Sequence, residues 1–227
     1  MINKKNVFRY LGYNNDYVDK LTLDKTNEII VEIEENIIGK YTFKEYKIIE
    51  NKNNKVVLEN SSIELNGINI SKLLIDSKRI YILACTLGIK AERYISKKSY
   101  ISAVDGLIAD ACMSDLTECY TDECQNEIEK LININEKPTF RYSPGYGDLK
   151  LNVQKNIINE LNTNRIIGLN ITDTFILTPR KSIIAIIGVE NKNSEFKKNH
   201  RCGIDSCINC KLYESCNFKK DYINKDV

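Results

Sequence analysis

The sequence predicts an α+β fold, helices mixed with a twisted antiparallel sheet, followed by a short cysteine-rich tail. Three observations carry that expectation. "TFKEYKIIE" and "KVVLENSSIEL" alternate around the polar turn "NKNNK", the pattern of half-buried antiparallel strands. Residues 89–134 are helical in pattern almost throughout. From residue 191 onward apolar periodicity stops, and the segment holds half of the eight cysteines.

Taken in order, "NVFRYLGY" reads as a short helix within the first stretch of chain, and "NEIIVEIEENIIGKY" (27–41) carries apolar residues at near-helical spacing. The alternating strands follow. "NISKLLIDS" reads as a short helix with Ser71 as its cap, and "RIYILACTLG" as a buried strand running to Gly88. In the long helical region Ile101, Val104, Leu107, Ile108 and Ala111 fall on one stripe, the mark of a core-facing side. A loop, "FRYSPGYGDLKL" (140–151), leads into a helix over 148–162. "IGLNITDTFILTPRKSIIAIIGVE" (167–190) then predicts an antiparallel hairpin around Thr178, Pro179 and Arg180. The expected organisation is one domain over 1–190 and a metal-binding tail over 191–227.

With 227 residues the chain is long enough to bury a full core. A net charge of +2 lacks the strong basic excess of nucleic-acid-binding domains. "IYILAC" and "SIIAIIGV" are far shorter than a membrane span, and "MINKKNVFRY" has no apolar run behind its charges. The reading is a cytoplasmic protein with neither a nucleic-acid nor a membrane partner, whose cysteines are reduced thiols or metal ligands.

The chain has three prolines and ten glycines, and Pro138, Pro144, Gly145 and Gly147 all lie in or beside the 140–151 loop. Proline stiffens a loop. Glycine lets a ligand approach the main chain closely. Arg141, in the same loop, pairs with a carboxylate through two parallel hydrogen bonds. A small-molecule site and a plain structural turn both fit this local chemistry.

The order of motifs narrows the choice. Arg141-Tyr-Ser-Pro144-Gly145-Tyr146, then Gly168-Leu-Asn-Ile171-Thr172-Asp173-Thr174, then Pro179-Arg-Lys-Ser182 resembles the activation (reactivation) domain of cobalamin-dependent methionine synthase. That family shows Arg-x-x-Pro-Gly-Tyr, Gly-x-x-Leu-Thr-Glu-Ser and Pro-x-x-Ser in the same order. "VFRYLGY" and "ACTLG" (84–88) are similar to its free-standing version. The resemblance covers about residues 5–190. It implies binding of S-adenosylmethionine and capping of a partner's cobalamin module after the cofactor has been oxidised to cob(II)alamin. Arg141 would grip the methionyl carboxylate, and Tyr142, Ser143, Pro144, Gly145 and Tyr146 would face the nucleoside. Asp105 would meet the ligand's positive end, and Thr172 and Asp173 would complete the site. Asp173 stands where the family has glutamate, and Gly147-Asp148 where the long enzyme has Pro-Ala. No general base is expected, because the methyl group arrives already activated.

"CGIDSCINCKLYESC" sets Cys202, Cys207, Cys210 and Cys216 in a C-x4-C-x2-C-x5-C array. A metal tied to thiolates can order a short segment that lacks a core. The opening spacing matches one iron–sulfur pattern, and zinc also accepts four thiolates. A four-iron four-sulfur cluster would fit the one-electron demand of reductive methylation. Cys85, Cys112, Cys119 and Cys124 read as small buried thiols.

Two function classes follow. One is an accessory reactivation module for methionine synthase, with a flavodoxin or ferredoxin as electron donor. The other is a non-catalytic adenosylmethionine-binding or assembly protein for another corrinoid methyltransferase, with a structural zinc tail. An ordinary adenosylmethionine methyltransferase is a third, disfavoured because no Gly-rich strand-to-helix turn is present.

Overall fold

The computed structural model describes residues 1–13 and 18–192. Cys202, Cys207, Cys210 and Cys216 lie outside the described residues. The described chain runs α1 (Lys4–Tyr10), α2 (Lys20–Asn36), β1 (Lys40–Lys52), β2 (Lys55–Leu58), β3 (Glu64–Asn66), α3 (Ile68–Leu73), β4 (Ser77–Thr86), α4 (Gly88–Ile101), α5 (Ala103–Glu129), β5 (Glu136–Pro138), α6 (Val153–Glu160), α7 (Thr163–Ile167), β6 (Asn170–Ile171), β7 (Leu177–Thr178) and β8 (Ser182–Asn191). Six strands form one sheet in the order β3-β2-β1-β4-β8-β5, every pairing antiparallel. The predicted α+β class holds.

The sheet is covered on both faces, and the continuous apolar runs of β4 and β8 follow from that. Ile80, Ile82, Ala84, Ile184 and Ile186 share a core with Leu149 and with Val153, Ile157 and Ile158 of α6. Their neighbours Tyr81, Leu83, Ala185, Ile187 and Val189 turn to the other face, against Cys124 and Ile128 of α5. Successive strand residues point to opposite faces, so a strand buried on both sides is apolar at every position. On its outer side α5 packs through Ile108, Ala109, Cys112, Met113 and Leu116 on α1, α2 and α4, where Val7, Ile29, Ile33 and Ala91 complete a third core.

Several expectations shift. The second helix begins at Lys20 and ends at Asn36, not 27–41. Its end gives way to β1, because Lys40 onward pairs with Thr86 and the residues before it. "KVVLENSSIEL" divides into β2 and β3, and β1 turns into β2 through Asn53 and Asn54, both at positive φ (53° and 60°), the geometry that tight hairpins favour. Ser71 does not cap its helix. It lies inside α3 and its hydroxyl donates to Asn51. Asp148 accepts instead from the N–H groups of Ile68 and Asn69, an acceptor supplied from 80 residues away that no local motif announces.

The 101–111 stripe also breaks. Ser102 takes an extended conformation, caps α5 by accepting from the Asp105 N–H, and separates α4 from α5. Ile101, Val104 and Leu107 are left 68%, 52% and 65% exposed, while Ile108 and Ala111 are buried. β5, only three residues long, falls between the predicted helical region and the 140–151 loop, where no element is expected. It lies at the sheet edge, where Pro138 needs no ladder partner for its missing N–H. The expected hairpin around Pro179 is replaced by a different pairing. β7 turns back on β6, and β8 enters the main sheet between β4 and β5. Cys85, Cys112 and Cys124 are buried as expected, and Cys119 is half-buried. Burial pushes the thiols of Cys85, Cys112 and Cys124 up to about 12, which makes them poor nucleophiles. No helix among the described residues is long and apolar enough to cross a membrane.

Candidate functional site

Where β5 ends, the chain stays against β8. Thr139 N–H donates to Gly188 O at 2.9 Å, and Tyr142 and Ile186 exchange both backbone hydrogen bonds at 2.9 Å. That register fixes Arg141 between two anchored neighbours, on the face of the sheet covered by α5. There its guanidinium meets two carboxylates. Nη1 is 2.6 Å from Asp122 Oδ1 and Nη2 is 3.2 Å from Glu118 Oε2. The two acids are four residues apart on one helix, and so share a side of α5.

The loop beyond Arg141 is stiffened from within. Gly145 N–H donates to Leu149 O (2.8 Å) and Tyr146 N–H to Ser143 O (3.1 Å). The Tyr142 hydroxyl donates to Tyr146 O at 3.0 Å. Gly147 sits at φ +52°, and a Cβ there would lie 2.4 Å from Asn69 Nδ2 and 2.6 Å from the Tyr142 hydroxyl oxygen. Only glycine fits both the backbone and the space.

Arg141, Phe140, Ser143 and Tyr146, with Glu118 and Gln125 of α5 and Ile183 and Ala185 of β8, line an open cleft of about 350 Å³. Its floor is aliphatic and its rim charged, and the size lies within the range of small-ligand sites. Burial pushes the Glu118 carboxyl above its ordinary value. Arg141 opposes that shift, while Asp122 and Asp115 add to it. Of the two acids Glu118 lines the cleft, and Asp122 stands beside it, held by Arg141, so the cluster of one guanidinium and two carboxylates carries one negative charge in excess when both acids are ionised.

Sequence-predicted residues divide around this cleft. Arg141, Ser143 and Tyr146 line it. Tyr142 belongs to the core on the opposite face of the sheet, where its hydroxyl braces the loop, and Pro144 is buried. Gly145 serves the turn through its φ of +93°. Asp105 is not brought to Arg141. It stands in the first turn of α5, ion-paired with Lys25, thirteen residues before Glu118, or about 20 Å along the helix. Thr172 and Asp173 lie in the β6–β7 turn, where the Thr172 hydroxyl accepts from the Ile176 N–H, and neither lines the cleft. Glu118 and Asp122, which face Arg141, were missed. Their signal was an i, i+4 acid pair on a predicted helix, and choosing it over the neighbouring acids required knowing which strand crosses beneath.

A larger cavity, about 460 Å³, opens at the far end of β4. It is lined by Asn36, Ile38, Lys40, Thr86, Leu87, Gly88, Ile89, Lys90, Ile167, Gly168 and Pro179. The "ACTLG", Gly168 and Pro179 motifs therefore meet one another, away from Arg141. No carboxylate is among these lining residues, so of the two only the Arg141 cleft offers both signs of charge. Among the described residues no group of three or more His, Cys, Asp or Glu side chains is arranged to hold a metal.

No family model matches the chain, and no curated protein matches it. Among solved structures it is similar to the MetH reactivation domain bound to AdoHcy. The TM-score is 0.66 at 12% identity, with 86% of this chain and 76% of that chain covered. The likeness is one of fold.

Proposed function

We propose that the Arg141 cleft binds S-adenosylmethionine and that the protein supports reductive methylation of cob(II)alamin on a partner's cobalamin-binding module. The observation that carries this reading is the charge pattern, a guanidinium flanked by two carboxylates over an aliphatic floor. Adenosylmethionine has one carboxylate, one ammonium and one sulfonium, a net charge of +1 that complements the excess negative charge of the rim. The fold is that of a domain solved with AdoHcy, the product left when the methyl group departs, which further supports the reading.

In this reading Arg141 exchanges its internal partners for the ligand carboxylate. Glu118 and Asp122, released from it, accept the ammonium and face the sulfonium. The chain supplies position and shelter from water. One electron enters, the carbon–sulfur bond breaks, a carbon–cobalt bond forms, and S-adenosylhomocysteine leaves, which balances atoms and charge without a proton transfer.

The pH dependence tests the role of Glu118. An ionised Glu118 attracts the ligand, and burial raises its pKa, so affinity should fall as pH drops from about 7.5 to about 5, earlier than an ordinary carboxylate would dictate. Calorimetric titration at both values reads this. A flat profile would mean that Glu118 does not meet the ligand's positive charge, and no binding at either pH would remove the reading itself.

Cys202, Cys207, Cys210 and Cys216 offer four thiolates, a donor set that suits an iron–sulfur cluster, and such a cluster would supply low-potential electrons when bound. A flavodoxin or ferredoxin is the class of donor that would replenish it. A Cys207→Ala, Cys210→Ala variant purified without oxygen should lose its iron and keep its affinity for adenosylmethionine. Stoichiometric zinc in the parent protein would instead make the tail a structural knuckle, as in the reading of an assembly protein for another corrinoid methyltransferase.

A further inference from the structure

The described chain leaves the domain beside the C-terminal end of α5. Asn191 pairs with Glu136, and Lys192 N–H donates to Asn135 O at 2.9 Å, six residues past Glu129. From there one side of α5 runs back to the Arg141 cleft through Glu129, Gln125, Asp122 and Glu118. These positions are spaced so that they share one side. Glu129 is exposed, the Asp122 side chain is 64% exposed, and Gln125 donates to Glu129 at 2.7 Å. Three of the four residues on this side are acidic, of which Glu118 and Asp122 are paired with Arg141 and Glu129 is not. Beside the exit point Leu131 and Ile134 are 56% and 84% exposed.

The segment that follows has matching chemistry. Residues 192–201 read "KNSEFKKNHR", with Lys192, Lys197, Lys198 and Arg201 against the single acid Glu195, and with Phe196 among them. The length matches as well. Glu129 to Glu118 is about 17 Å along the helix, whereas Lys192 and Cys202 are ten positions apart, a span of up to about 33 Å when extended.

We propose that residues 193–201 dock along this side of α5, Phe196 against Leu131 and Ile134 and Lys197 and Lys198 over Glu129, the one acid of the three that Arg141 does not hold. The cysteine array that follows is thereby delivered to the mouth of the Arg141 cleft. The occupant is this chain's own tail because it starts at the surface in question, carries the opposite charge and has the required reach. That the delivery serves electron supply rests on the function proposed above, whereas the docking itself does not.

Zero-length carbodiimide cross-linking of the full chain, read by mass spectrometry, tests it. The expected product joins Lys197 or Lys198 to Glu129 within one molecule. A mixture of nitrogen-15-labelled and unlabelled chains identifies the molecularity. Raising salt from about 0.02 M to about 0.5 M should cut the yield severalfold, because screening shortens the reach of exposed charges. The Lys197→Glu, Lys198→Glu variant should lose the link, and adding Glu129→Lys should restore a link between positions 129 and 197 or 198. Links scattered over acids elsewhere, such as Glu28, Glu59 and Glu64, would overturn the proposal, and so would links only between molecules. Titrating adenosylmethionine into the same samples keeps the two ideas separate. Lost binding with the expected links removes the function, and scattered links with intact binding remove the docking.

Discussion

Arg141→Ala should weaken adenosylmethionine binding by about 10- to 150-fold. The estimate corresponds to the roughly 1.5–3 kcal/mol carried by a hydrogen-bonded charged pair. The substitution removes the one cation of the rim and leaves Glu118 and Asp122 facing each other with no counter-charge. Their negative charge still draws the ligand's ammonium, so binding should weaken without disappearing. The fold should survive, because both ion pairs of Arg141 are with partly exposed acids, and such pairs contribute only about 0–1 kcal/mol each. A ligand analogue lacking the carboxylate sharpens the test. It should bind the parent weakly and bind the variant about as weakly, since the interaction is then missing from both sides and the losses do not add. Calorimetry with the four combinations measures this. Equal affinity of parent and variant for adenosylmethionine would mean that Arg141 belongs to the α5–loop tether and not to a ligand site.

The parts of the fold that were legible share a property. Their pattern is set by the element itself. β4 and β8 read as buried strands because both of their faces are covered, and α4 and α5 because their spacing is helical. The Arg141 loop was legible because proline and glycine mark conformations that other residues cannot take. What failed depended on partners distant in sequence. β5 exists only through its pairing with β8, and α3 is capped by Asp148, 80 residues further on. Asp105 was chosen by position in a motif, yet α5 continues far beyond it, and the acids that reach the loop are those over the crossing of β8. Ile101 misled because a single extended residue, Ser102, breaks the helix after it, and Val104 and Leu107 because they lie in the first turns of α5, ahead of Ile108, where its buried hydrophobic residues begin.

Asp115→Ala should destabilise the protein by about 2–4 kcal/mol. Asp115 is 2% exposed. Its carboxylate accepts from the Asn3 N–H at 2.6 Å and from Asn6 Nδ2 at 2.7 Å. No lysine or arginine pairs with it among the described ion pairs, so neutral donors satisfy it, chiefly those of α1 and its cap, with the Cys119 thiol a weaker third at 3.9 Å. These are hydrogen bonds to a charge, worth about 1.5–3 kcal/mol each. Alanine would forfeit both, though Asn3 is exposed and Asn6 half-exposed, so water recovers part of the loss. Without the carboxylate α1 loses two of its anchors and leans on its apolar contact, chiefly buried Val7 against the α2–α5 core, and on the Ile2 N–H bond to Glu34 that precedes it. Asp115→Asn should recover less than half of the stability, because an amide presents one acceptor and one donor where two acceptors are needed. Thermal unfolding should fall by about 5–15 °C for alanine, using the slope expected at this chain length. Amide exchange across Lys4–Tyr10 should accelerate ahead of the rest of the chain, since removing a local tether opens α1 before the sheet. A midpoint within about 2 °C of the parent, or unchanged exchange in α1, would show that the N-terminal helix is held in place without the Asp115 tether.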